Sequence, residues 1–475
     1  MRKAAYIATT TDCWTARRRS FIGITAHWLD PCSFERHSVA LAFKQLKGSH
    51  TFDLLACAMH DIHTEYGICA KIVRTTTDNG SNFIKAFHVF GPDENNNVTT
   101  EEVTEKVTTQ EEGEDDDPGE MEVEFIDVAA ILDEDDGLQY QLPKHHRCAC
   151  HLLNLVSTVD VNNANRSESY KKLSRSSFSK CQALWNKTSR STIAAEVVEE
   201  HCKLQLLQPN ATRWNSFYLA VERIVRILKD QGEGAMRAVC AALKVPMYSP
   251  AEMAFLGEYT TTMNPVAKAT NILQGDSNIQ MGWLLPTITT LITKLEKTRA
   301  SLRFCKPLVD ALLDGLTKRF GNMMSDPELV AAAIIHPKFK TSWTSDEDIL
   351  RLGLHYIKEN LPHHDESLQP VDNSSSTSDE EDFFSNIKHA RTQETSKQLD
   401  AYLSGTAEGM TLLTSYPALA NLSLKLNTAL PASASCERLF SAAGLIFTPR
   451  RGAINSHNFE NQLLLKMNKD FFSFD

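Results

Sequence analysis

The sequence lacks three features that would each assign a class of protein at once. No apolar run is long enough to cross a bilayer, and no apolar segment follows the first charged residues as in a secretory signal. The 11 cysteines are scattered without a paired framework, which is typical of reduced thiols inside the cell. We therefore expect a soluble intracellular protein with no membrane partner. Its 475 residues, 42% of them apolar, are enough for two or three domains.

The sequence also lacks the excess of positive charge that phosphate binding favours. It has 49 Lys and Arg residues against 60 Asp and Glu residues, for a net charge of −11. Much of the excess acid lies in residues 100–125 and 376–384, whose composition predicts solvated, flexible segments. The remainder is nearly neutral, with basic clusters at Arg17–Arg19 and Arg450–Arg451. Composition therefore leaves DNA binding open without supporting it.

The first ninety residues carry a strand-rich pattern. Residues 4–11, 20–29 and 36–45 are rich in β-branched and aromatic residues, which predicts three strands joined by short turns. A helical pattern at residues 50–67 and a further strand ending at Asp78 follow, and the next turn leads into a helix. The order βββαβα, with an acidic residue on the first and fourth strands, predicts an α/β fold with an RNase H-like mixed sheet.

Two aspartates on neighbouring strands are the first candidates for chemistry. Divalent-metal phosphodiester cleavage uses carboxylates that hold hard cations, and Asp12 and Asp78 belong to strands expected to be adjacent. Each also has a structural explanation, since Asp12 can end a strand and Asp78 can form an Asx turn before Asn79-Gly80. Glu437, in "SASCERLFSAAG", is the candidate third acid. With Ser435 as N-cap it would lie in a first helical turn, where a carboxylate also suits the helix dipole.

Two further motifs leave structural and functional alternatives open. Cys148, Cys150 and His151 form part of "RCACH", but no second ligand pair lies nearby, which favours a buried thiol pair with a hydrogen-bonded histidine over a zinc site. Arg213 and Trp214 precede a helical pattern. An aromatic ring beside a cation can stack on an unpaired base, although most such tryptophans are core residues.

Five stretches, in this order, resemble the hAT superfamily of DNA transposases, and especially the cellular BED-type zinc-finger proteins descended from them. They are "TTDCWTARRRSFIGITAHWL", "TTTDNGSNFIKAF", "HRCACHLLNLV", "ATRWNSFYLAVERI" and "PASASCERLFSAAGLIFTPRRGAINSHNFENQLLLKMN". Together they extend over nearly the whole chain. The resemblance implies a catalytic core split by a large all-helical insertion and a C-terminal helical dimerisation region, in which Leu463, Leu464 and Leu465 bury against a partner or the insertion.

The resemblance also implies roles for single residues. The three metal-binding acids would be Asp12, Asp78 and Glu437, with Mg²⁺ or Mn²⁺ as cofactor. The Cys-x-x-His pair would be Cys148 and His151, in a structural role. Trp214 would stack on a flipped-out base, with Arg213 beside it, and Arg438 would contact DNA near the cleavage site.

The implied domain organisation follows the shifts in composition along the chain. We expect a first part of the core at 1–91, an acidic flexible loop at 92–140, the end of the first core part at 141–160, a helical insertion at 161–365, a Ser-rich acidic linker at 366–400 and the C-terminal dimerisation region at 401–475. Family members usually carry an N-terminal BED zinc finger. The first hundred residues contain no Cys-x-x-Cys with a downstream histidine pair, so we expect no zinc finger in this chain.

These observations predict a nuclear, transposase-derived protein rather than an autonomous transposase. It would act through dimerisation, with itself or a related hAT protein, and through association with DNA or chromatin. The alternative is a metal-dependent DNA nuclease or strand transferase that uses the three acids. A third possibility is an interaction protein whose acidic loop recruits basic partners.

Overall fold

A computed structural model of the protein describes residues 1, 3–48, 50–92, 141–210, 214–275, 278–361 and 397–471. The predicted acidic loop and the predicted linker lie outside these residues, apart from residue 92 and residues 397–400. Among the described helices, none combines the length and the apolar character needed to span a bilayer.

The first part of the chain forms a five-stranded mixed sheet of the order β3-β2-β1-β4-β5. Strands β1, β2 and β3 pair antiparallel, whereas β4 and β5 run parallel to β1. The bounds are β1 (Ile7–Ala16), β2 (Arg19–Leu29), β3 (Arg36–Leu46), β4 (Ile72–Thr77) and β5 (His145–Arg147). The predicted α/β class and mixed sheet are therefore present, and β1 and β4 are neighbours as expected.

Strand β1 is longer than the prediction of residues 4–11. It runs to Ala16 because Cys13 to Ala16 continue to pair with β2, with Ala16 opposite Arg19. Asp12 consequently lies inside a strand and not at its end, so the strand-end explanation of this aspartate is wrong.

Helices cover the two faces of the sheet with different cores. On one face, α1 (Phe52–Glu65) and α2 (Ser81–Phe90) pack on aliphatic side chains such as Ile22 and Ile24. The opposite face carries aromatic rings, including Phe21 and Phe43, whose centroids lie 4.7 Å apart. Two helices from the C-terminal part of the chain cover this aromatic face.

A helical part forms the largest core, which is built mainly from residues between Cys148 and Ala432 and also includes Ala8 and Phe34. Its helices are α3 (Ala149–Thr158), α4 (Glu168–Ser189), α5 (Thr192–Cys202), α6 (Trp214–Asp230), α7 (Gly232–Leu243), α8 (Pro250–Leu273), α9 (Leu284–Arg299), α10 (Lys306–Met324), α11 (Pro327–Ile335), α12 (Glu347–Asn360) and α13 (Pro417–Asn427). The apolar faces of these helices are thus buried against one another.

The predicted C-terminal region contributes to both cores. Helix α13 packs in the helical core, whereas α14 (Ala434–Ile446) and α15 (Ser456–Met467) lie on the aromatic face of the sheet. Leu463 is fully buried there, against the sheet of its own chain, and Leu464 is partly buried, whereas Leu465 is 51% exposed. Of the three leucines expected to bury against a partner or the insertion, Leu463 and Leu464 therefore pack on the sheet instead.

Arg36, on β3, joins the sheet to the helical core. The guanidinium of Arg36 donates to the carbonyl oxygens of Ile279, Asn427 and Thr428 at 2.6–3.1 Å, and burial lowers the pKa of Arg36 to about 9. Three backbone carbonyls held by one partly buried cation fix the chain before α14 relative to β3, which positions the helix that carries Glu437.

Candidate functional site

Helix α14 crosses the sheet directly above Asp12. The Cys436 thiol donates to the backbone oxygen of Thr10 at 3.2 Å, and the ring of Phe440 stacks on Trp14 at 6.1 Å between centroids. Because side chains alternate along a strand, Asp12 points to the same face as Thr10 and Trp14. Asp12 thus lies under the first turns of α14, between the two strand residues that contact this helix.

Gly23 permits this close approach. It lies opposite Asp12 on β2, and a β carbon at this position would be 2.6 Å from Cε1 of Phe440. A larger residue would push the helix away from the strand that carries Asp12. A glycine inside a strand is a recognisable sign of such an approach, but the sequence analysis did not use it.

Asp78 follows β4 at the same end of the sheet. The parallel register pairs Thr10 with Thr76 and Thr11 with Thr77, so one further step places Asp78 beside Asp12. Its carboxylate accepts a hydrogen bond from the backbone N–H of Gly80 at 3.0 Å, so the predicted Asx turn is present. The turn leads into α2 and does not remove Asp78 from the neighbourhood of Asp12.

Glu437 lies in the first turn of α14, as expected, although the helix begins one residue after Ser433 and not after Ser435. The N–H of Ser433 points to the sulfur of Cys148 at 3.3 Å, which holds the start of α14 against the start of α3. The backbone between the two helices is also paired, since Ala149 donates to the carbonyl of Pro431 at 2.8 Å.

The three carboxylates interact through their charges. Burial raises the pKa of Asp12 well above its usual range, and the charges of Asp78 and Glu437 raise it further, whereas the N–H of Cys13, at 2.7 Å, opposes the shift. Like charges that approach a half-buried carboxylate favour its protonated form. The structure therefore brings the three predicted acids into one electrostatic neighbourhood, called here the carboxylate site.

The three carboxylates offer the oxygen atoms that a divalent metal ion would need as ligands. Within the described ranges, no three or more His, Cys, Asp or Glu side chains are arranged to hold a metal ion. The oxygen donors have the right chemistry for Mg²⁺ or Mn²⁺, but their placement does not fit a bound ion.

His151 and Cys148 lie next to the carboxylate site, at the start of α3. Burial lowers the pKa of His151, while the charges of Asp78 and Glu437 oppose that shift. Hydrogen bonds from the Cys150 thiol and from Ser433 outweigh burial and lower the pKa of Cys148 to about 7. The two thiols are buried and interact, in agreement with the thiol-pair alternative.

Of the two arginines expected to contact DNA, the structure describes Arg438 only. The Arg438 guanidinium is partly buried and donates to the carbonyl of Gln274 at 3.2 Å and to the Ser435 hydroxyl at 3.1 Å. Burial lowers the pKa of Arg438. This side chain joins α14 to the helical core. Arg213 lies outside the described residues.

Trp214 is the first residue of α6 and is only 9% exposed, so it belongs to the helical core. Its ring also lines a cavity of about 660 Å³, together with Tyr170, Phe178, Phe217 and Tyr259. Ser157, at the other end of α3 from His151, lines the same cavity. Six helical residues span about 9 Å, so the cavity begins roughly that far from His151 along the helix axis.

A buried ion pair near the carboxylate site has no signature in the local sequence. Arg319 donates to Asp160 through two nitrogens, at 2.5 and 3.0 Å, and both side chains are buried. The charge of Arg319 also lowers the pKa of His151. Because the two residues are 159 positions apart, only the packing of α10 against the end of α3 brings them together.

Comparisons with known proteins concern the sheet. Residues 10–100 match the family model of the ZBED1 RNase-like domain. A protein of Talaromyces stipitatus named as a transcriptional regulator, tpeD, is 35% identical over 81 residues, which are 17% of this chain. The match covers only 10% of that relative's length. These similarities support a ZBED-like, hAT-derived RNase-like domain in this chain.

Proposed function

We propose that this chain is a transposase-derived nuclear protein that associates with DNA or chromatin and acts as a dimer, without autonomous transposition. The main support is the match of residues 10–100 to the ZBED1 RNase-like domain, on a sheet whose β1 and β4 bring Asp12 and Asp78 together. The name of the fungal relative favours a regulatory role. A fluorescent fusion of the full chain, excluded from nuclei, would contradict the nuclear part of the proposal.

Exposed leucines on the C-terminal helices support dimerisation. Leu445, near the end of α14, is 73% exposed, and Leu465 on α15 is 51% exposed. Because α14 and α15 pack against each other, one partner surface could cover both leucines. We expect a homodimer that buries this surface.

The test is the molar mass of the full chain by light scattering at micromolar concentration. The variant Leu445→Asp/Leu465→Asp should be a monomer, whereas the wild type should be a dimer. Ile193→Asp is the matched control because Ile193 is 71% exposed on the helical part. A monomeric wild type, or a double variant that stays dimeric, would contradict this assignment.

A metal-dependent nuclease or strand transferase is the second candidate. It is favoured by one observation, namely that the charges of Asp78 and Glu437 both act on Asp12. The arrangement of the three side chains, which fits no metal ion as it stands, opposes it. Cleavage of a terminal-inverted-repeat duplex in Mg²⁺ or Mn²⁺, present in the wild type and lost in Asp78→Asn, would support this candidate. Equal cleavage by both proteins, or by neither, would exclude it.

A further inference from the structure

The tightest turn of the sheet is built from residues that do not favour its conformation. Arg17 and Arg18 connect β1 to β2, and both have positive φ values, 51° and 59°. A two-residue hairpin loop with positive φ at both positions prefers Asn-Gly, because a β carbon is unfavourable in this region. Strain of this kind is often kept where side chains have a function. The two arginines are therefore candidates for a function outside folding.

A third exposed arginine comes from the other end of the chain. The Arg17 guanidinium lies over the ring of Phe447 at 5.7 Å, and its Nη1 is 3.9 Å from where a β carbon on Gly452 would lie. Arg451, which precedes Gly452, is exposed, as are Arg17 and Arg18. We call these three residues the arginine edge. None of the three forms an ion pair with a carboxylate of the described residues.

Arg19 holds the arginine edge in place. Its guanidinium donates to the carbonyl of Ile454 at 2.9 Å and to the hydroxyl of Ser456 at 2.8 Å, and it lies over the rings of Phe21 and Phe447. One of the four neighbouring cations thus fastens the chain before α15 to the hairpin. The three arginines of the arginine edge remain in solvent on a backbone that is already fixed. Little backbone entropy is therefore lost when they bind a ligand.

We propose that the arginine edge binds the phosphate backbone of double-stranded DNA. This inference rests on the DNA association proposed above and names the surface responsible. Guanidinium groups pair well with phosphate oxygens. Thr15 and Ala453 beside the edge are small and exposed, which suits backbone contacts better than the apolar pockets a bound peptide needs.

The position of the edge also fits this role. Ala16 lies four residues beyond Asp12 on β1, a distance of about 13 Å. DNA held by the arginine edge would thus run along the end of the sheet that carries the carboxylate site. The overall charge of −11 does not oppose this, since binding depends on the local cluster of cations.

The test is binding of a short random-sequence DNA duplex by the full chain, followed by fluorescence anisotropy from about 0.05 to 0.2 M salt. Arg17→Asn/Arg18→Gly removes two cations and supplies the preferred turn residues. We expect it to bind about tenfold more weakly at ~0.1 M salt and its log–log salt slope to fall by about 2. Its melting temperature should rise by about 2–4 °C, because the turn strain is relieved.

Three other variants complete the design. Arg17→Gln/Arg18→Gln keeps long side chains in the turn and should show the same loss of binding, whereas Arg17→Lys/Arg18→Lys should keep the salt slope. The control Lys172→Gln/Lys187→Gln removes the same charge from exposed positions on α4 and should bind as the wild type does.

The outcomes separate this inference from the proposed function. If the wild type binds DNA and the arginine variants bind equally well, the arginine edge is not the binding surface, and DNA association stands. If the wild type binds no duplex, both the DNA association and the edge fail. A polyglutamate peptide that competes as strongly as DNA would also overturn the assignment to a phosphate backbone.

Discussion

Charged side chains have oppositely charged partners in the helical core, whereas at the end of the sheet they have neighbours of the same charge. In the helical core, buried charges occur in closed pairs, such as Asp160 with Arg319. At the end of the sheet, like charges meet instead, and the pKa of Asp12 is raised by burial and by Asp78. Breaking a closed pair costs stability because it leaves one buried charge uncompensated, whereas like charges held close together cost stability as they stand and are common at functional sites. The contrast favours the sheet end as the place of the candidate functional site.

The largest effect is expected from opening the buried pair in the helical core. Arg319→Leu would leave the Asp160 carboxylate buried without its main partner and should lower the free energy of unfolding by about 3–5 kcal/mol. Urea denaturation followed by circular dichroism measures this change. Arg351→Ala, which breaks an exposed pair with Asp348, is the control and should change it by less than about 0.5 kcal/mol. Equal effects of the two variants would remove the contrast.

The next effect concerns Glu252, whose carboxylate pairs with Lys180 at 2.6 Å and accepts the N–H of Ser249 at 2.6 Å. Burial favours the neutral acid, but Lys180 and the hydroxyl of Ser176 prevail and lower the pKa of Glu252 to about 2. A lowered folded-state pKa gives stability that is present above the unfolded pKa, near 4.5, and is lost as the pH falls toward 2. Glu252→Gln should cost about 2–3 kcal/mol at pH 7. The difference from the wild type should shrink between pH 4.5 and 3, and a constant difference would contradict the ion pair.

Gly23 tests the approach of α14 to the sheet. Gly23→Ala places a β carbon against Phe440 and should cost about 1–3 kcal/mol by overpacking. Gly444 lies on α14, the helix that carries Phe440, and has open space around it. Gly444→Ala should therefore stabilise the protein by about 0.5–1 kcal/mol. Thermal unfolding compares the two, and Phe440→Leu should restore part of the loss in Gly23→Ala. If the two alanine variants behaved alike, α14 would not lie on β2 as described.

The smallest effect has the opposite sign. Asp12→Asn removes one of the like charges and should raise the free energy of unfolding by about 1 kcal/mol at pH 7. Because the folded-state pKa of Asp12 is raised, the wild type is penalised only above its unfolded pKa, so the gain should vanish as the pH falls below about 4. Asparagine can still accept the N–H of Cys13. A loss of stability at pH 7 would show that the carboxylate site is not strained by charge.

Much of the sheet and of the candidate site could be predicted from local sequence. The strands, the Asx turn at Asp78 and the place of Glu437 in a first helical turn follow from short-range patterns. The end of β1, the helix start at Ser433 and the burial of Leu463 could not, since each depends on a segment distant in sequence. Trp214 is buried in the helical core, which was one of the two alternatives that the sequence left open, and its cavity was not predicted.

The sequence by itself determined the order of the elements, the types of side chain available for chemistry and the resemblance that relates them. Only the tertiary structure decided that α14 lies on Gly23, that Arg319 closes on Asp160 and that Arg451 joins Arg17 and Arg18. Periodicity and turn preferences act over a few residues, whereas these contacts join segments from 159 to more than 400 positions apart, whose approach is set by the packing of whole cores.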